Sequence, residues 1–119
     1  MAEKMTLAYA LIVTILLIAV AVGAQGPRGK IDERVALDND SVRIVRFTYH
    51  PEADSDIHLN LGPEITIVQD GELALYTPKG RELLGPSAAH WLPESTVHLA
   101  RNEGERPATF WSLLLKRCD

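Results

Sequence analysis

Two histidines, an asparagine and a glutamate stand where they could do chemistry together. The stretch "DIHLNLGPEITIVQDGEL", from Asp56 to Leu73, carries His58, Asn60 and Glu64. A later stretch, "PESTVHLARN", carries His98 between Val97 and Leu99. Alternation in "IHLN" sends His58 and Asn60 to one face of an extended segment, and Ile57 and Leu59 to the other. Glu64 opens the next run across the short "LGP" bend and can swing beside them. Two imidazoles and one carboxylate from three strands can therefore converge on one point. Such donors build either a metal centre or a polar ligand pocket. Asn60 stands where a further histidine would favour the metal, because an amide oxygen is a weaker transition-metal ligand than imidazole.

The elements that must position these groups read as strands. "SVRIVRFTY", Ser41 to Tyr49, alternates Val42, Ile44 and Arg46 against Arg43, Val45 and Phe47. "EITIVQDGELALYT" holds two apolar runs joined at Asp70-Gly71, which predicts a two-residue hairpin. "ELLGPSAAHWLP", "STVHLARN" and "ATFWSLLLKR" follow, separated by turn chemistry in "TPKG", "GPS" and "NEGERP". The expectation is an all-β antiparallel sandwich or small barrel over residues 41–117. "QGPRGKIDER" is rich in glycine, proline and charge, so residues 25–40 read as a linker or loose arm.

Met5 to Ala24 contains no charged side chain, follows Lys4, and ends in the small residues "VGA". Residues 1–24 therefore read as a cleaved signal peptide or as an uncleaved membrane anchor, since a span needs roughly 20 apolar residues. Either way the barrel is expected outside the cytoplasm: periplasmic, extracellular or membrane-anchored. Membrane contact is expected only through residues 5–24, if they are uncleaved.

The chain has 119 residues, enough for about one domain, and a net charge of −4. A mildly acidic chain without a basic patch argues against nucleic acid as a partner. Cys118 is the only cysteine, so no intramolecular disulfide can form. His50 reads as a surface residue, His90 as a satisfied or exposed histidine, and Trp91 and Trp111 as packing residues. Arg43, Arg46 and Arg101 are expected to face solvent.

The two site stretches resemble the paired motifs of the cupin superfamily. The first motif, G-x5-H-x-H-x3,4-E-x6-G, is matched from its first histidine onward by His58, Asn60, Glu64 and Gly71; its leading glycine is absent. The second, G-x5,7-P-x-G-x2-H-x3-N, is matched by Gly85, Pro93, Ser95, His98 and Asn102, with Ser95 in place of a glycine. The resemblance covers roughly Val42 to Leu115. It implies a double-stranded β-helix, or jelly-roll barrel, with a cavity at one mouth, and a homodimer. It also implies a mononuclear divalent metal on His58, Glu64 and His98, with Asn60 orienting water or substrate. Two imidazoles and a carboxylate form a facial set with open positions that suits Fe(II); Mn, Ni or Zn also fit. A metal-dependent dioxygenase or isomerase type of activity would follow. The alternative is a metal-free barrel that binds a small carbohydrate or metabolite without catalysis.

Overall fold

The computed structural model describes residues 28–116. Residues 1–24, read as signal or anchor, and Cys118 lie outside the described residues. Within them the chain forms eight strands: β1 Ile31–Asp38, β2 Val42–Tyr49, β3 Glu64–Asp70, β4 Leu73–Thr77, β5 Gly80–Leu84, β6 Ala89–Leu92, β7 Leu99–Arg101 and β8 Ala108–Leu115. They build two antiparallel sheets, one ordered β1-β2-β8-β3-β6 and the other β5-β4-β7.

Register sorts the side chains of the larger sheet into rows. Val45, Ser112, Thr66 and His90 lie side by side, and so do Phe47, Phe110 and Val68. The buried members of these rows identify the inner face, so alternate residues must point outward. The core joins Tyr49, Val68 and Phe110 of this sheet to Leu73, Leu75, Leu84 and Ala100 of the other. Phe110 stacks on Phe47 at 5.4 Å and meets Tyr49 edge-on at 5.0 Å. Such aromatic pairs add about 0.5–1.5 kcal/mol each beyond area burial.

The structure differs from the sequence expectations in three places. Part of the segment read as an arm is β1, hydrogen-bonded to β2 along its whole length with a bulge between Val35 and Leu37. It lies at a sheet edge and is almost wholly exposed, so its charged residues resemble linker composition while serving as edge protection. Secondly, Asp70-Gly71 does not close a hairpin. β3 pairs with β6 and β8, and β4 pairs with β5 and β7, so this turn carries the chain from one sheet to the other. Both lateral sides of β3 are already occupied, which leaves β4 no room beside it. Gly71 adopts φ +75°, and a Cβ there would lie 2.4 Å from the Pro107 carbonyl oxygen. Thirdly, "IHLN" is not a regular strand. It makes one isolated bridge, His58 to His98.

Candidate functional site

That bridge brings the two histidines together. His58 N–H donates to the His98 carbonyl at 3.1 Å, and His98 N–H returns the bond at 2.9 Å. Directly opposed residues carry their side chains on the same face, and the two rings lie 4.1 Å apart, tilted by 57°. Each ring is fixed by its own backbone. His58 Nδ1 lies 2.7 Å from the Asp56 carbonyl oxygen, and His98 Nδ1 lies 2.8 Å from that of Thr96. A carbonyl oxygen can only accept, so Nδ1 carries the proton on both rings. In the neutral form each Nε2 then keeps its lone pair.

The bend after His58 is tied to the loop before His98. Ser95 N–H donates to the Asn60 carbonyl at 2.8 Å. Ser95 stands at the position of the motif glycine and adopts φ +58°, the left-handed region glycine tolerates best. Asn60 Nδ2 donates to Glu64 Oε2 at 2.8 Å, and Thr66 Oγ1 approaches Oε1 at 3.4 Å. Burial pushes the Glu64 carboxyl up; His58 and the hydrogen bonds from Ser112, Thr66 and Asn60 pull the other way. His58, Asn60, Glu64 and His98 line one cavity of about 450 Å³ between the sheets, with Leu73, Leu75 and Phe110 forming an apolar wall.

The four site residues foreseen from the sequence thus share one cavity. The foreseen three-ligand metal set is a different matter. Among the described residues, no group of three or more His, Cys, Asp or Glu side chains is placed to hold a metal ion. Asn60 marks the departure from the motif. Its amide is a donor and engages the carboxylate of Glu64, whereas a histidine with its own Nδ1–H tied back would present only a lone pair there. That bond takes one oxygen of Glu64, and the other carboxylate oxygen keeps its lone pairs beside the two histidines.

Several lining residues escaped the sequence reading. Arg43, expected in solvent, sits at the cavity in the same row as Leu114 and Glu64, and pairs with Asp38 at 2.8 Å and Glu33 at 3.5 Å. Thr66 and Ser112 were also missed; their inward parity follows only once β3 and β8 are seen to be neighbours. His90 lies outside the cavity lining, its Nε2 3.2 Å from Glu82. Neither Trp91 nor Trp111 lines the cavity. His50 pairs with Asp32 at 2.9 Å.

His98 is 3% exposed, and burial depresses its pKa to about 4 from 6.5; the Thr96 hydrogen bond opposes this and His58 adds to it. Between these values the unfolded chain takes up a proton that the folded chain refuses. Stability therefore falls as pH drops from about 6.5 through about 4. Glu64, with its raised pKa, contributes in the opposite sense above pH 4.5. The comparison that isolates His98 is wild type against His98→Gln. In urea titrations the wild type should lose about 2–3 kcal/mol more than the variant over that interval. Parallel pH profiles would show that His98 is not the titrating group.

No protein-family model and no curated protein matches this chain. Solved structures do. It is similar to a predicted oxalate decarboxylase from Thermotoga maritima, with TM-score 0.71, 16% identity, and coverage of 77% of this chain and 85% of that one. A cupin domain from Bordetella pertussis matches with TM-score 0.65, 22% identity, and 76% and 97% coverage. A cupin superfamily protein from Desulfitobacterium hafniense matches with TM-score 0.69, 14% identity, and 76% and 81% coverage.

Proposed function

The chain has a cupin fold, and on that premise we propose that it is an exported binding protein whose barrel cavity takes a small, donor-rich polar molecule. The observation that carries this reading is the hydrogen-bond bookkeeping at the histidine pair. Both Nδ1–H groups are committed to backbone carbonyls. The rings therefore offer only Nε2 lone pairs, beside the carboxylate of Glu64. A wall of acceptors backed by apolar residues suits a ligand with several hydroxyl or amino groups, such as a polyol or sugar. The apolar segment 5–24 supports export.

A second reading has one specific observation in its favour. Imidazoles that ligate metals are oriented in this way, with the far nitrogen donating to a backbone carbonyl. His58 and His98 would then hold a divalent ion, which would supply Lewis acidity, and Glu64 would join them through the oxygen that Asn60 does not engage.

Elemental analysis and ligand titration on one preparation, made without a metal-affinity tag, separate the two. The first reading expects no stoichiometric metal and a saturable thermal shift with glucose, glucosamine or mannitol. That shift should weaken about tenfold or more in His58→Ala and in Glu64→Gln, as loss of a ligand hydrogen bond to a polar or charged partner implies. Near-stoichiometric Fe, Mn, Ni or Zn that disappears in a folded His98→Ala variant would replace it with the second.

A further inference from the structure

The outer face of the larger sheet carries a feature unrelated to the cavity. Arg34 of β1 and Arg46 of β2 are direct cross-strand partners, and Trp111 of β8 is the next residue in that row. Two like charges placed opposite each other on a sheet repel. Here no acid relieves them: among the described residues neither guanidinium takes part in an ion pair. The nearby acids are engaged elsewhere. Asp32 pairs with His50, Glu33 approaches Arg43, and Asp38 holds Arg43 and Lys116.

Arg46 is further constrained. Its Cζ lies 5.9 Å from the centre of the Trp111 ring, and its Nε is buried without a hydrogen-bond partner. A buried donor left unpaired is costly. Trp111 is itself pinned, its Nε1 donating to Gln69 Oε1 at 3.2 Å. Beside these groups, where β1 bulges away from β2, lies a concavity of about 370 Å³ lined by Arg34, Val35, Ala36, Arg46 and Trp111.

We propose that Arg34, Arg46 and Trp111 form a second binding site, for an oxyanion, on this outer face. One phosphate or carboxylate group placed between the guanidiniums accepts from both, cancels their repulsion, and lies at the edge of the indole. The apolar body of a carboxylate-bearing ligand has Val35, Ala36 and the Trp111 ring to rest on.

The full chain contains two tryptophans, so Trp91→Phe leaves Trp111 as the only tryptophan, and excitation selective for indole makes it the reporter. Potassium phosphate and potassium acetate are titrated against potassium chloride at constant ionic strength, with emission and thermal midpoint both followed. A saturable change in Trp111 emission and a raised midpoint with phosphate, acetate or both, but not chloride, is the expected result. A response to phosphate alone assigns phosphate; a response to acetate assigns carboxylate. Arg34→Gln, at an exposed edge, should raise the midpoint without anion and weaken the response at least tenfold. Arg46→Lys keeps the charge but loses the guanidinium fork and should weaken it as well. The proposal is overturned by a response equal to that of chloride, by no response, or by a full response in Arg34→Gln.

Discussion

Asn102→Ala is expected to destabilise the protein by about 3–5 kcal/mol, most of what a domain of this size has to lose. Asn102 is fully buried and uses its whole side chain. Nδ2 donates to the Tyr49 carbonyl at 2.9 Å and to that of Arg106 at 2.7 Å, while Oδ1 accepts the Gly104 N–H at 2.9 Å. Its backbone bonds Ala53 and Glu52 as well. The residue thus pins the end of β2, the loop after it and the loop before β8 to one point. Alanine would strand the Tyr49 carbonyl away from water, release the Arg106 carbonyl and the Gly104 amide of the exposed loop, and leave a void. Asn102→Asp tests the same point by another route, since a carboxylate cannot donate to either carbonyl. Urea unfolding followed by tryptophan emission, with an unchanged dependence on denaturant, gives the number. A loss below about 1 kcal/mol for both variants would mean that the three bonds do not hold the loops.

The second large effect is expected at Gly62, which has no special backbone angle to explain it. A Cβ at this position would lie 1.8 Å from the Leu115 carbonyl oxygen. The obstacle is backbone in β8, held in place because Leu115 N–H donates to the Pro63 carbonyl at 2.9 Å. Gly62→Ala must therefore push the bend at 60–63 away from β8, at a cost of about 3 kcal/mol, the upper end of overpacking effects. The displaced bend carries Asn60 and leads into Glu64, so ligand binding in the barrel should fail together with stability. Unfolding and ligand titration on the same variant test both. Loss of binding with preserved stability would mean that the bend yields cheaply. Preservation of both would contradict the close approach.

Much of the site could be read from residue order alone. The gaps from His58 to Glu64 and from Pro93 to Asn102 match the paired cupin motifs, and that resemblance implied one cavity for the four polar residues. Ser95 at a glycine position suggested no more than local strain, and the structure finds it in the left-handed region. What remained illegible was lateral. Asp70-Gly71 has the chemistry of a hairpin turn, yet local chemistry cannot say whether the next strand returns to the same sheet or crosses to the other. That depends on β8 and β6, which come later in the chain and occupy both sides of β3. The fate of Arg43 was hidden for the same reason, since its parity is meaningful only once its neighbours are known. The engagement of Glu64 by Asn60 is a matter of a single rotamer, and no spacing rule encodes it.

The strand order has a consequence in time. β8, the last strand, lies at the centre of the larger sheet, between β2 and β3. Its pairing with β2 joins Val42 to Leu115 and Tyr49 to Ala108, so the middle of the sheet forms only by closing a long loop. Topologies dominated by such distant pairings fold in milliseconds to seconds rather than microseconds. During synthesis the β1–β2 and β3–β6 pairs can form first, but β2 and β3 each keep one open edge until β8 emerges. The molecule is then completed in one late step, in which β8 enters between strands made long before it.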